Sequence, residues 1–169
     1  MEREKIFVVL GTQKFQLNRL LIELDRLKEE GILTSEIFAQ TGGSDYEPKH
    51  YSWKHYLETE AFEKKMEECS LVVVHSGVGS IISAIRKNKK VVVYPRLEKY
   101  HEHVDDHQCE IRQAFAQRGL VVYCGEKDDL MEKIQEAREM ESRPFVSHND
   151  RMLETIKNYI DMTQRSRRE

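Results

Sequence analysis

The amino-acid sequence predicts an α/β fold: a doubly wound, mostly parallel sheet with helices on both faces. Three observations carry that expectation. Short apolar runs alternate with segments of helical period along almost the whole chain. The runs, "LVVV" and "VVVY" among them, are continuous rather than alternating, as in strands covered on both sides. Glycine or proline marks several of the junctions between the two patterns.

In order, "IFVVL" (6–10) is the first strand. A helix over 16–30 follows, with Leu17, Leu20, Leu21, Leu24 and Leu27 on one face and Gly31 as its stop. "SEIFAQT" (35–41) is the second strand, and the turn-rich "GGSDYEPKH" leads to a short third strand at 51–54. A helix at 58–68 precedes "LVVV" (71–74); after a glycine turn a further helix runs to about residue 87. "VVVY" (91–94) is stopped by Pro95, and a polar loop leads to a helix at 105–118 closed by Gly119. "LVVYC" (120–124) is the sixth strand, and a helix at 127–141 opens on Asp128 and Asp129, acids suited to a helix N-terminus. Residues 1–145 are expected to form one Rossmann-like domain. A last amphipathic helix at 146–163 would pack on it or on a partner, and 164–169 reads as a solvated tail.

Composition narrows the classes of function. The chain has 169 residues, 39% hydrophobic and 34% charged, which fits one globular domain with a real core. The net charge of -3 gives no general basic field and argues against a nucleic-acid binder. No apolar run approaches the roughly 20 residues of a membrane span. Cys69, Cys109 and Cys124 show no CxxC spacing, so each reads as a small buried hydrophobe in a reducing compartment.

Ligands of open parallel sheets bind beyond the carboxyl ends of the strands. Four segments fall there, three of them rich in Gly, Ser or Thr and one rich in His and Asp. In "HSGVGS" (75–80), Gly77 and Gly79 permit close backbone approach, and Ser80 offers a hydroxyl at a helix N-terminus. No lysine completes a Walker motif and no third glycine completes GxGxxG, so the motif alone is equally a plain strand-to-helix turn. "GTQKF" can cradle phosphate through Gly11, Thr12 and Gln13, or serve only as a turn in which Phe15 packs on the core. Tyr46, Trp53 and Tyr56 can stack on a base, although packing is the commoner role. In "PRLEKYHEHVDDHQ", His101, His103 and His107 with Asp105 and Asp106 lack a known ligand spacing. Hydrogen bonding to a hydroxyl-rich ligand is therefore favoured over metal binding, with helix capping an equal alternative for Asp105.

"VLGTQKFQLNRLL", followed at this separation by "HSGVGSIISAIRKNKKVVVYPRLEKYHEHVDDHQ", resembles the C-terminal domain of glycosyltransferase family 28. More narrowly it resembles the family's split versions: bacterial PssE-type exopolysaccharide and capsule galactosyltransferase subunits, and the eukaryotic small subunit that extends dolichol-linked N-acetylglucosamine. The resemblance covers about Lys5 to Cys124. It implies the donor half of a GT-B enzyme, holding a UDP-sugar without metal or other cofactor. The acceptor, a lipid-linked saccharide, would be held by a membrane-associated, PssD-like partner, so that the chain is cytoplasmic and recruited to the membrane's inner face. It also implies inverting transfer of a hexose, with galactose in β-1,4 linkage favoured.

By position, the resemblance puts Gly11, Thr12, Gln13, His75, Ser76, Gly77, Val78, Gly79 and Ser80 at the diphosphate. It puts Glu102, His103, Asp106, His107 and Gln108 around the sugar. His103 is the local candidate for general base, with the base itself expected on the partner; His75 better suits a structural part in the loop. Ser83 replaces a ribose-binding Glu of the peptidoglycan enzyme, leaving the ribose grip open. Alternatives are a non-catalytic nucleotide-sugar-binding regulatory subunit and a UDP-GlcNAc 2-epimerase-like enzyme.

Overall fold

The computed structural model describes residues 3–75, 77–102 and 119–141, without the side chains of Val78 and Glu98. The expected helices at 105–118 and 146–163, the tail, Cys109 and the site candidates Ser76, His103, Asp106, His107 and Gln108 lie outside the described residues.

Six strands form one sheet: β1 (Lys5–Val9), β2 (Glu36–Gln40), β3 (Ser52–Lys54), β4 (Leu71–Val74), β5 (Lys90–Val93) and β6 (Val122–Tyr123). Their order is β3-β2-β1-β4-β5-β6 and every pairing is parallel. The connecting helices are α1 (Asn18–Glu29), α2 (Thr59–Glu68), α3 (Val78–Arg86) and α4 (Leu130–Glu139). A 3-10 turn at Glu98–Tyr100 follows β5. The doubly wound α/β architecture read from the sequence is thus the architecture observed.

The period of two along each strand divides the core between the faces. Ile6, Val8, Leu71, Val73 and Val92 meet the leucines of α1 and the Leu130, Ile134 and Ala137 stripe of α4. Phe7, Val9, Val72, Val74, Val91 and Val93 meet Met66 of α2 and Ile81, Ile82 and Ile85 of α3. Strands buried on both sides have no polar face, which is why their sequences run apolar without alternation. Cys69 and Cys124 sit inside these layers as free thiols, and burial pushes both pKa values up, that of Cys124 to about 11.

The largest departures from the expected bounds are at two elements. The sixth strand pairs only over Val122 and Tyr123, not 120–124. α4 begins at Leu130 rather than 127, because the Asp129 side chain accepts from the Glu132 N–H and so caps the helix.

Candidate functional site

Strand order reverses between β1 and β4, the switch point at whose carboxyl edge open parallel sheets bind their ligands. The loops that leave these two strands are "GTQKF" and "HSGVGS". They meet on one side chain. The His75 N–H donates to the Val9 carbonyl at 3.1 Å, and its ring lies under both loops, 9% exposed. A Cβ at Gly11 would stand 2.7 Å from His75 Nε2, and one at Gly77 would stand 2.4 Å from Cε1. Gly11 also has φ +75, where L side chains are strained. Both glycines therefore make room for the imidazole.

That corrects one sequence reading. Close approach at Gly77 is to His75, while a Cβ at Gly79 would meet nothing within 4 Å. It is Gly79, exposed on the first turn of α3, that leaves open space for a ligand. The capping position is Gly77, with no side-chain cap, rather than a serine. Ser80 is the third residue of the helix. The Ile81 N–H is bonded to the Gly77 carbonyl, and the preceding N–H groups of the first turn have no acceptor within the helix. Thr12 and Gln13, on the loop after β1, are exposed. The arrangement offers main-chain donors and the positive end of a helix to an anion.

A third loop backs the first. A Cβ at Gly42 would stand 2.6 Å from the Gly11 carbonyl oxygen, and one at Gly43 would stand 2.5 Å from that of Lys14. Gly42–Gly43 thus packs main chain against main chain under "GTQKF". Of the aromatics considered for a base, Tyr46 and Trp53 are engaged: the Tyr46 hydroxyl donates to Asp25, and Trp53 Nε1 donates to the Pro48 carbonyl. Tyr56, beyond the end of β3, is 54% exposed.

Two arginines that the sequence reading passed over organise the β5 loop. Arg96 is 2% exposed, and its NH2 group donates to the carbonyls of Leu10 (2.9 Å) and Phe15 (3.0 Å). Its NH1 group lies 3.0 Å from His75 Nδ1. Burial pushes the Arg96 pKa down to about 10, still well above neutrality, so a cation sits inside the fold beneath both loops. Arg19 on α1 donates to both carboxylate oxygens of Glu102, to the Tyr94 hydroxyl at 2.6 Å and to the Pro95 carbonyl at 3.1 Å. Burial works against the Arg19 charge, but Glu102 together with Tyr94 and Tyr100 more than offsets it and the pKa is raised. Its guanidinium also lies over the rings of Tyr94 and Tyr100.

Glu102, expected at the sugar, is 1% exposed and committed to Arg19 and the Leu97 N–H. Desolvation makes an unpaired carboxylate there costly, so its oxygens serve the loop rather than a ligand hydroxyl. The only sequence signal for these arginines was that each is a cation among loop and helix residues already under suspicion. Beside the clamp an open cleft of about 760 Å³ lies between the N-terminal ends of α1 and α4, lined by Gln16, Arg19, Tyr94, Tyr100 and Asp128. Among the described residues no group of three His, Cys, Asp or Glu could hold a metal, and no helix is long and apolar enough to cross a membrane.

A parallel sheet with helices on both faces and a switch point between β1 and β4 defines a doubly wound, Rossmann-like α/β domain. The chain belongs to the family described as the glycosyltransferase family 28 C-terminal domain, which matches residues 5–162. No curated protein matches it. An NMR structure of ALG13 is 19% identical with a TM-score of 0.57, covering 90% of this chain and 96% of that one. The crystal structure of Acinetobacter baumannii MurG is 16% identical with a TM-score of 0.55, over 93% of this chain and 52% of that one. The glycotransferase of kitacinnamycin is 13% identical with a TM-score of 0.59, over 80% of this chain. These are likenesses of fold. The chain spans 34% of that transferase and 36% of the spinosyn forosaminyltransferase SpnP.

Proposed function

We propose that the chain is the donor-binding, catalytic component of a two-part inverting glycosyltransferase. It binds a UDP-sugar at the switch-point crevice and passes the hexose to a lipid-linked saccharide held by a membrane-associated, PssD-like partner. Galactose and a role in capsule or exopolysaccharide synthesis follow from the PssE-type resemblance. The observation that carries the reading is the meeting of "GTQKF" and "HSGVGS" on His75 beside the open first turn of α3, in a chain of the family's C-terminal domain.

In the proposed reaction the acceptor hydroxyl attacks the anomeric carbon while the bond to the diphosphate oxygen breaks, and the charge leaves with UDP. Gly11, Thr12, Gln13 and the N–H groups of residues 77–80 receive that charge. A general base takes the hydroxyl proton, and we place it on the partner; His103 is the candidate from this chain. His107 and Gln108 would meet the sugar. No metal enters the scheme.

Saturation with UDP at a hundred times its Kd adds about 2.7 kcal/mol and should raise Tm by roughly 5–10 °C. No rise would overturn the donor-site reading. Gly79→Glu places bulk and negative charge in the open space at α3 and should abolish UDP binding. Sugar transfer to membrane acceptors should require co-expression with the partner; UDP binding without transfer under any pairing would indicate a nucleotide-sugar-binding regulatory subunit instead.

A further inference from the structure

Buried guanidinium groups usually face carboxylates. Arg96 instead faces a histidine ring nitrogen and two main-chain carbonyls, at the place where the two loops meet. We propose that Arg96 is a positioning residue that fixes His75 as the neutral Nε2–H tautomer at the junction of those loops.

The argument is one of donors and acceptors. A guanidinium has only N–H donors, so at 3.0 Å from Arg96 NH1 the His75 Nδ1 must present its lone pair. A neutral imidazole with Nδ1 as acceptor carries its proton on Nε2. Protonating Nδ1 would turn the contact into donor against donor and cation against cation within the fold, so the ring is held neutral. Its Nε2 edge is the edge the two glycines accommodate: a Cβ on Gly11 or on Gly77 would stand 2.7 or 2.5 Å from Nε2. The donor edge is therefore fixed between the loops after β1 and β4.

Among the described residues, Arg96 from the β5 loop, Gly11 from the β1 loop and Gly77 from its own loop lie against the ring, and Arg96 is the charged group of these. Glu102 is, among the described residues, the carboxylate whose charge reaches Arg96, and it is itself paired with Arg19. It follows that His75 takes no proton from an acceptor hydroxyl: Nδ1 is occupied and Nε2 is already protonated. If the crevice is the donor site, as proposed above, its histidine keeps one hydrogen-bonding character across the physiological pH range.

Two-bond ¹H–¹⁵N NMR of the histidine rings in the whole chain tests the lock without any ligand. Wild type should show His75 as Nε2–H with no titration between about pH 5 and 8, where an unperturbed histidine turns over near 6.5. An Nδ1–H ring, or an ordinary midpoint, would overturn the proposal. Arg96→Met removes the donor, and His75 should then titrate near 6.5; a folded variant with an unchanged, silent ring refutes the role of Arg96. Should that variant fail to fold, the wild-type spectrum still decides.

UDP-galactose, whose diphosphate diester has no ionisation near neutrality, separates this from the donor reading. Wild-type affinity should change less than about twofold over that pH range, whereas Arg96→Met should bind about tenfold more weakly at pH 8 and recover in part on acidification. Absence of UDP-galactose binding with the Nε2–H ring intact would overturn the donor site and leave the lock standing.

Discussion

At the scale of single residues, two glycines of one motif have opposite reasons to be there. Gly77 yields its Cβ space to the His75 ring, and Gly79 yields it to solvent. Gly77→Ala should lower thermal stability and UDP affinity together, whereas Gly79→Ala should leave the melting temperature within about 1–2 °C of wild type. Equal effects would contradict the packing described. Asp25 is a second case. It is 4% exposed and accepts from the Tyr46 hydroxyl and the N–H groups of Lys49 and His50, tying the turn-rich loop to α1. Burial works to raise its pKa, but those bonds more than offset it and the value is lowered. Its contribution is complete above the unfolded value near 3.9 and is lost as pH falls through the lower folded value. Asp25→Asn should therefore destabilise at neutral pH and lose that deficit in strong acid, as urea titrations at several pH values would show. The sequence displayed Asp25 only as a polar position on the leucine-rich helix; its partners lie more than twenty residues downstream.

At the scale of elements, the β5 loop is held by its neighbours rather than by its own sequence. Arg19 reaches from the first turn of α1, and Arg96 reaches back to the loop after β1. Removing one member of a buried pair costs about 3–5 kcal/mol, and the partial exposure of Arg19 puts Glu102→Ala toward the lower end of that range. Its UDP-sugar affinity should fall with the order of the loop; denaturant titration and calorimetry would read the two effects separately. Strand cores and helix faces were legible because each follows a period in sequence. Ends were less so: α1 starts where Ser44, from the neighbouring loop, accepts the Leu17 N–H at 2.9 Å. No local pattern carries that contact.

At the scale of the whole molecule, the sheet order makes the site. Strands β1 and β4 lie side by side although more than sixty residues separate them, and only this adjacency brings Gly11 and Gly77 to one ring. The layers that enforce it are dense. Leu24 of α1 is fully buried against the sheet, and Leu24→Ala should cost about 2–5 kcal/mol of unfolding free energy. The UDP affinity of the molecules that remain folded should be unchanged, since the residue lies in the layer beneath the loops. A parallel loss of affinity would show that the crevice depends on packing in that layer.

The sequence by itself determined the class of fold, the strands, the two loops at the carboxyl edge and the absence of a P-loop lysine. Apolar periodicity and glycine placement are local properties, and they survive in one dimension. Tertiary structure alone decided that Gly77 serves a histidine, that Glu102 belongs to Arg19, and that Arg96 stands beneath both loops. Those choices depend on which loops a parallel sheet sets side by side, and a buried charge finds its partner through space rather than along the chain.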